Sequence, residues 1–483
     1  MRQLILTTLA GAICLGPVRA ESQAAPDERP WTFMIYGAAD NNADGPILEF
    51  LDGVRVALDD DPGMELIVFL DRSRGFSNDA SVLGEDFTDA RVYRLRSDSA
   101  EELDARDFFP DMVAGEEYEA DSSDPETLGR FVAFCKARFP ARRYGLMIYS
   151  HANGVLMCPD DESGGEMGIP ALREVVGEEA SVDLLALELC NMAGIEIAYE
   201  WRPGNGGFSA DVLVAIPNAG IPLDWDRAFW RIRSEGHATS ARGAALDPAT
   251  MSASDFGRLV VEEGYAGRRA WVDAARDSGR YDLDDPAVLE MLLDKVREAA
   301  GCFDLARAAD VKRAVDELAS ALAQAGGAQV VGELRGSEDD RLMHYASRGK
   351  FYERPYVDLF ELLGALAECE ALPDVVRGRA SVARQAVDDM VVASFGLEEG
   401  FETFEPGRHG LFIVFPGDDS VRGPGRPWTG FSWYTPDATS HVAGGRWAFL
   451  ADGVTPGNGE VEGWFELLAS WSAEYGAPLD YRW

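Results

Sequence analysis

The chain has 483 residues, of which 84 are Asp or Glu and 44 are Lys or Arg, so its formal net charge is −40. So acidic a surface repels nucleic acid and anionic membranes, which excludes functions that depend on a basic face. Hydrophobic residues at 46% and charged residues at 27% are ordinary for a globular protein with a large core. The charge suits a salty medium, divalent cations or basic substrates, and by itself it names no function.

The N-terminus has the pattern of a secretory signal peptide over residues 1–20. Met1-Arg2 is positively charged, the stretch 4–15 is apolar, and Val18-Arg19-Ala20 resembles a small-x-small cleavage site. The alternative is a retained N-terminal anchor, although the apolar stretch is short for a membrane span. No later segment reaches membrane-spanning length. We therefore expect an exported chain, extracellular or periplasmic, without a membrane partner and with residues 21–30 as a linker.

Strand-like runs alternate with helical patterns in the first half of the chain. The strand-like runs are 31–37, 64–71, 144–150, 182–189 and 210–217, and the helical patterns lie near 47–58, 125–137, 170–177 and 193–201. Asp124 and Pro125 form a helix start, because Asp is a favoured N-cap and Pro suits the first helical position. Near-continuous apolar strands between helices predict an α/β fold with a mostly parallel sheet covered on both faces.

The pattern changes after residue 235. We predict a catalytic domain over 31–235 and a largely helical region over 236–430. Within that region, a strand at 407–418 returns to the main sheet or lies beside it. An aromatic and Gly-rich segment, 431–483, closes the chain.

His151 and Cys190 each follow the carboxyl end of a predicted strand, where functional groups gather in parallel sheets. A thiolate nucleophile needs a nearby base, and imidazole commonly serves. The helix after Cys190 would also favour the thiolate through its dipole. The plainer alternatives are a cysteine that only packs and a histidine that only caps a loop, but two such residues at matching strand ends favour a catalytic pair.

Removal of the leader would leave an odd number of cysteines, so at least one thiol would have no partner within the monomer. The five are Cys135, Cys158, Cys190, Cys302 and Cys369. Cys302 and Cys369 could pair with each other, and the sequence does not decide this.

Several blocks, in order, resemble the clostripain family of cysteine peptidases within the caspase-like superfamily. They span about residues 31–416: "WTFMIYGAADNN", "DPETLGRFVAFCKARFPARRYGLMIYSHANG", "VDLLALELCNM", "YVDLFELL" and "HGLFIVFP". The resemblance implies a caspase-like α/β/α sandwich with a largely helical C-terminal region. It also implies His151 as the general base or acid and Cys190 as the nucleophile, with protein or peptide substrates.

Two departures from the family pattern concern the site. Ala152 stands where the family has a glycine whose backbone N–H joins that of Cys190 in the oxyanion hole. Alanine keeps the N–H but would be strained if the position needs a positive φ. Glu188 stands where the family has an aspartate that binds a basic P1 side chain, and a second acidic position falls at the neutral Asn218. The resemblance therefore implies cleavage after arginine, or less favourably lysine, by a pocket with one carboxylate.

Metal and cofactor signals are weak. Residues 40–45 mimic the start of an EF-hand, but Leu51 stands where the loop needs a glutamate, so we reject it. The four histidines other than His151 lack zinc-ligand spacing. No organic cofactor is implied. Clostripain itself depends on calcium, and the acidic run 160–163 could hold such an ion, although a solvated loop is the simpler interpretation.

The sequence thus predicts an exported cysteine endopeptidase. The alternative is a catalytically silent relative that serves as a binding or scaffold module, favoured by Ala152 and by the altered pocket. A serine hydrolase acting through Ser150 is a distant third, because no separate base is evident.

Some family members cut themselves between the two catalytic residues. In this chain the segment 152–189 contains one basic residue, Arg173, which lies inside a predicted helix. Self-processing there is therefore not favoured. The oligomeric state stays open.

Overall fold

The computed structural model describes most of the chain between residues 28 and 397. The described residues are 28–59, 63–113, 117–218, 222–233, 244–279, 299–327, 330–332, 334, 342, 345, 356–397, 404–406, 410–415, 447–451, 463, 464, 467 and 468. The predicted signal peptide and most of the predicted C-terminal segment lie outside them. The predicted linker does too, apart from its last three residues, of which Arg29 and Pro30 already belong to the first strand.

Ten described strands form one sheet, in the order β13-β12-β10-β9-β8-β5-β1-β2-β3-β4. Their bounds are β1 (Arg29–Ala39), β2 (Met64–Arg72), β3 (Ala90–Leu95), β4 (Ala100–Glu102), β5 (Ala141–Tyr149), β8 (Val182–Glu188), β9 (Ala210–Ala215), β10 (Ala300–Asp304), β12 (Val391–Leu397) and β13 (Phe404–Pro406). Short two-stranded pairs join β6 (Leu156–Met157) to β7 (Met167–Gly168) and β11 (Tyr356–Asp358) to β14 (Phe412–Val414).

The parallel part of the sheet is its centre. β2, β1, β5, β8 and β9 pair in parallel, as their continuous apolar sequences predict. The strands on both outer sides pair antiparallel. "Mostly parallel" therefore holds for the centre and not for the edges, because short strands that return through hairpins or helices were not visible in the sequence pattern.

Helices cover both faces of the sheet. They are α1 (Asp44–Ala57), α2 (Pro125–Arg138), α3 (Ile169–Val175), α4 (Ile195–Glu200), α5 (Trp225–Arg231), α6 (Ala253–Asp277), α7 (Ala308–Ala325), α8 (Leu359–Glu368), α9 (Asp374–Met390) and α10 (Ala448–Ala451). α2 starts as predicted, with the Asp124 side chain accepting a hydrogen bond from the N–H of Glu126.

Alternate side chains of the central strands enter two separate cores. In β1, Met34 and Tyr36 join the core beneath α2, α3, α4 and α7, whereas Phe33 and Ile35 join the core beneath α1, α5 and α6. Gly145 of β5 leaves the space that the Phe33 ring fills, since a Cβ there would lie 2.4 Å from the ring. This alternation fixes the strand register, because a shift by one residue would exchange the two faces.

The second half of the chain contributes more strands than predicted. β10, β12 and β13 extend the main sheet, so the sheet continues past residue 235. The later strand that the sequence predicted is β14, and it lies beside the main sheet, paired with β11. β10 is only five residues long and stands between helical stretches, which explains why its pattern was missed. Among the described helices, none has the length and apolar character that a bilayer crossing requires.

None of the five described cysteines forms a disulfide. Cys302 lies in the core beneath α1, α5 and α6, whereas Cys369 packs against the opposite core. The sheet separates the two side chains, so the pairing that the sequence left open does not form. Cys135, Cys158 and Cys302 are buried, and burial raises the pKa of each of these thiols.

We expect five titratable thiols in the mature chain unfolded in guanidinium chloride without reductant. Ellman's reagent, with alkylation and mass spectrometry to locate each site, measures this number. A count of three would mean that one disulfide consumes two thiols, which would contradict the opposite-face placement of Cys302 and Cys369.

Candidate active site

The pairing of β5 with β8 brings the two predicted catalytic residues to one edge of the sheet. Tyr149, the last residue of β5, is paired with Glu188, the last residue of β8. His151 and Cys190 each follow two residues beyond that pair. Neighbouring strands lie about 4.8 Å apart, so the two side chains leave the sheet from adjacent positions.

The loops that carry the two residues also contact each other. A Cβ at Gly154 would lie 3.1 Å from the carbonyl oxygen of Asn191, which follows Cys190 directly. The Tyr356 hydroxyl of β11 donates a hydrogen bond to the carbonyl oxygen of Asn153. The histidine loop is thus packed between the nucleophile loop and β11.

A third strand end orients the imidazole. His151 Nε2 lies 2.7 Å from Asn42 Oδ1, in the loop that follows β1. A carbonyl oxygen only accepts hydrogen bonds, so this contact requires a proton on Nε2 and leaves Nδ1 able to take up a proton. We did not predict this role for Asn42, although the "DNN" block that carries it was part of the family resemblance.

The surroundings of His151 favour the neutral ring. His151 is exposed, but the protein packed beside the ring removes part of its hydration and lowers its pKa, and the negative charge of Asp161 opposes this shift. A neutral imidazole with a free Nδ1 is the form that can accept a thiol proton.

The neighbouring Ser150 is occupied by the backbone. Its side chain is buried, and its hydroxyl donates a hydrogen bond of 2.6 Å to the carbonyl oxygen of Ala38. Asn41 approaches the same hydroxyl at 3.4 Å. These contacts join β5 to β1 and leave the serine-hydrolase alternative without support.

Ala152 lies in a short antiparallel bridge with Met157. The hydrogen bonds of this bridge flank it: Cys158 N–H donates to His151 O at 3.0 Å, and Asn153 N–H donates to Leu156 O at 3.1 Å. In this pattern the N–H of Ala152 points away from Met157. Within the described part of the chain, nothing accepts a hydrogen bond from it. The positive φ of the loop, 89°, occurs at Gly154 and not at Ala152, so the alanine carries no left-handed strain.

Cys190 is half-buried, in the turn that follows β8. The next residue, Asn191, has a φ of 59°, and its N–H donates to the carbonyl oxygen of Asn218 at 3.1 Å. α4 begins only at Ile195 and has six residues. The predicted help from the helix dipole is therefore wrong, because that effect is confined to the first turn of a helix.

The two predicted pocket residues occupy different surroundings. Glu188 is buried, and its carboxylate accepts hydrogen bonds from the N–H of Leu223 at 3.0 Å and from Trp225 Nε1 at 2.5 Å. Asn218 is also buried, and its Oδ1 accepts from the N–H of Ala299 at 3.1 Å. Glu188 is the last residue of β8, and Asn218 follows the end of the neighbouring strand β9. Both therefore lie at the same edge of the sheet as Cys190.

Two other predictions concern neighbouring residues. Arg173 lies in α3, where its Nε forms an ion pair of 2.6 Å with the buried Glu200. Asp44 of the rejected EF-hand pattern begins α1 and binds Arg72 at 2.7 Å, so it is not a cation ligand. The other four histidines lie outside the described residues, and the absence of a zinc site stays a prediction.

Comparisons with known proteins show the family of the chain. The clostripain family model matches residues 35–442. Clostripain of Hathewaya histolytica is 34% identical over 480 residues, which cover 91% of this chain and 86% of that relative.

Two solved structures are similar over most of their length. One is an inactive zymogen C11 protease from Parabacteroides distasonis, with a TM-score of 0.48, 15% identity, and coverage of 82% of this chain and 94% of the other. The second is a secreted C11 cysteine protease from Bacteroides thetaiotaomicron in complex with an irreversible peptide inhibitor, with a TM-score of 0.48, 13% identity, and coverage of 83% and 95%.

The α/β fold and the match to the family model define a cysteine peptidase. The chain belongs to the clostripain family, as the family model and the relative from Hathewaya histolytica show. The predicted family, the caspase-like α/β/α fold class and the cysteine-type endopeptidase class are thereby confirmed. Peptidases of this class act on peptide substrates and use groups of their own chain for the chemical step.

We expect His151 to titrate below the usual histidine pKa of about 6.5, because partial loss of hydration disfavours the imidazolium. NMR titration of the Cys190→Ala variant, with His151→Gln for assignment, measures this pKa. Asn42→Asp places a negative charge beside Nε2 and should raise it. A midpoint at or above 6.5 in the parent, or no rise in Asn42→Asp, would contradict the described environment.

Ala152→Gly should leave kcat within about threefold of the parent, because the position has no positive φ for glycine to relieve. The unfolded state gains freedom, so stability should fall by about 0.5–1 kcal/mol. Steady-state kinetics and thermal unfolding measure both effects. A rise in kcat of tenfold or more would mean that alanine distorts the site.

Proposed function

We propose that this chain is an exported cysteine endopeptidase in which Cys190 is the nucleophile and His151 transfers the protons. The observation that carries the proposal is the paired strand register, which delivers both residues to one edge while Asn42 holds the imidazole. These observations support the proposal, because an activated thiol needs a base nearby and a third group that orients the base.

The proposed reaction follows from the proton positions. His151 Nδ1 takes the proton of Cys190, and the thiolate attacks the peptide carbonyl carbon. The carbonyl oxygen becomes an oxyanion, which the N–H groups of Ala152 and Cys190 would hold; the outward direction of the Ala152 N–H supports this. His151 then protonates the leaving amine, and water, deprotonated by His151, releases the acid from the thioester.

We assign the preference for a basic P1 side chain to Glu188. Its carboxylate is kept in a fixed place by Leu223 and Trp225, at the strand end next to the nucleophile. A guanidinium can bind a carboxylate with two parallel hydrogen bonds, which favours arginine over lysine. Asn218 adds a polar wall without a second charge, so binding of the cation should be weaker than with two carboxylates.

Export and domain organisation are part of the proposal. The charged start, apolar stretch and small-residue site of residues 1–20 support secretion, and the product would be extracellular or periplasmic. We retain 31–235 as the part of the chain that carries the catalytic pair, with the later region completing the sheet.

We expect the mature chain to cleave fluorogenic peptides after arginine, and Cys190→Ala to lower kcat/KM by at least about a thousandfold. Glu188→Gln should reduce the preference for arginine over leucine by roughly 10–100-fold, because it removes a charge-assisted contact. Asn218→Asp should lower KM for arginine substrates several-fold by adding a carboxylate.

Melting temperatures of all three variants serve as the control, since Glu188→Gln also disturbs the hydrogen bond from Trp225. An arginine preference that survives in a folded Glu188→Gln protein would refute the pocket assignment and leave the dyad standing. Absence of both turnover and labelling of Cys190 by a chloromethyl ketone would refute the peptidase and favour the silent scaffold.

A further inference from the structure

The two-stranded pair of β11 and β14, called the ribbon below, lies against both loops that carry the proposed catalytic residues. Its strands come from the second half of the chain and pair antiparallel, with Tyr356 opposite Val414. The proposed reaction uses no residue of the ribbon. Its contacts with the two loops therefore point to a role other than chemistry.

One strand of the ribbon holds the histidine loop, residues 151–157. The Tyr356 hydroxyl of β11 donates a hydrogen bond to the carbonyl oxygen of Asn153. A Cβ at Gly154 would lie 2.5 Å from the same hydroxyl oxygen, so a larger residue there would clash with it. Gly154 also has a φ of 89°, which glycine adopts without strain. The loop and the tyrosine therefore fit closely.

The histidine loop is stabilised internally, so its residues move together. The Asn153 side chain accepts hydrogen bonds from the N–H of Val155 at 3.1 Å and from that of Leu156 at 3.0 Å. The N–H of Cys158 donates to the carbonyl oxygen of His151 at 3.0 Å. A contact at the Asn153 carbonyl therefore also affects where the imidazole lies.

The other strand of the ribbon holds the nucleophile loop. The N–H of Phe412 in β14 donates to the carbonyl oxygen of Ala193 at 2.9 Å. The Phe412 ring fills the space beside Gly194, where a Cβ would lie 2.6 Å from the ring. The N–H of Val414 donates at 2.9 Å to Oε1 of Glu196, which is buried in α4. β14 is thus attached both to the nucleophile loop and to the helix that follows it.

The two attachments are joined inside the ribbon. The ring centroids of Tyr356 and Phe412 lie 4.5 Å apart, as diagonal neighbours on one face of an antiparallel pair can. Asp358, at the other end of β11, is fully buried and accepts hydrogen bonds from the Gly410 N–H at 3.1 Å and from the Tyr345 hydroxyl. These contacts fix β11 relative to β14, and with them the histidine loop relative to the nucleophile loop.

We propose that Tyr356 is a positioning residue, whose hydroxyl and ring set the separation of His151 and Cys190 through the ribbon. The role rests on the proposed function, since it concerns the geometry of that catalytic pair. Proton transfer from the thiol needs both groups within hydrogen-bond reach, and a small displacement slows it steeply. Burial and the charge of Glu196 raise the pKa of Tyr356, so the hydroxyl keeps its proton and remains a donor.

The first test is Tyr356→Phe, which removes the hydroxyl and keeps the ring against Phe412. With an arginine substrate, kcat should fall by about 10–100-fold, because the histidine loop loses its attachment to the ribbon. KM should stay within about twofold, because the tyrosine is buried and out of reach of a substrate. Steady-state kinetics and melting temperatures of the mature chain measure these effects.

Tyr345→Phe is the matched control, since it also removes a buried hydroxyl next to the ribbon. The Tyr345 hydroxyl donates to Asp358 and accepts from the Gly410 N–H at 2.8 Å, so its loss should lower the melting temperature at least as much. The hydrogen bond from Tyr345 N–H to Tyr356 O, at 3.0 Å, is unchanged by the substitution. We expect kcat of Tyr345→Phe within about threefold of the parent. Equal losses of kcat in both variants would make Tyr356 a stabilising residue only and overturn the proposal.

The pH dependence of Cys190 alkylation gives a readout that a loss of stability alone would not change. Labelling by iodoacetamide is followed by mass spectrometry of the Cys190 peptide. The parent should have a midpoint below the usual thiol pKa of about 8.5, because His151 takes up the proton. His151→Gln should return the midpoint to about 8.5. Tyr356→Phe should raise it by about half a unit or more, and Tyr345→Phe should match the parent.

These variants separate a failure of the positioning role from a failure of the proposed function. Equal midpoints in the parent and in His151→Gln would refute the catalytic pair, and the positioning role with it. A midpoint that depends on His151 but not on Tyr356 would overturn the positioning role and leave the peptidase in place. A loss in Tyr356→Phe that falls on KM alone would also overturn it, since a substrate contact would then explain the effect.

Discussion

The hydrogen-bonded register between β5 and β8 is the constraint on which the site depends. With Tyr149 opposite Glu188, His151 and Cys190 each follow two residues beyond paired positions at one edge of the sheet. A slip of one residue would turn every side chain of the strand to the other face, which the two different cores forbid. The hydrophobic burial of the central strands thus sets the position of a polar pair that contributes nothing to the core.

The strand ends around this pair are stabilised by polar contacts that cross between loops. Ser150 donates to the carbonyl oxygen of Ala38 in β1, and Asn41, in the loop after β1, donates to that of Pro159. Asn42 reaches the imidazole from the same loop as Asn41. Asn191 joins the nucleophile loop to the residues after β9. Each contact connects segments distant in sequence, so the rigidity of the site is a property of the whole sheet edge. A peptidase needs such rigidity, because small displacements of a catalytic group cost rate.

The buried carboxylates of this acidic chain differ in the partners that compensate their charge. Buried Asp44 is paired with Arg72, and buried Glu188 receives two N–H donors. Asp71 has neither, although it lies in the same sheet. Burial that is compensated stabilises a fold, whereas uncompensated burial of charge destabilises it.

Local sequence pattern was sufficient to predict the central strands, α2 with its Asp124 cap, and the two strand ends that carry His151 and Cys190. Apolar runs and capping residues consist of positions that are neighbours in the sequence, so the sequence shows them directly. It was insufficient for the edge strands and for the distance between Cys190 and α4, since short strands and loop conformations depend on their partners. The sequence by itself determined the family, the parallel centre of the sheet and the candidate catalytic pair. Only the tertiary structure decided that Asn42 meets His151, that Cys302 and Cys369 lie on opposite faces, and that the carboxylates of Asp40, Glu119 and Asp160 converge. Each of these depends on how segments far apart in the chain are placed in space, and their separation along the chain carries no signal.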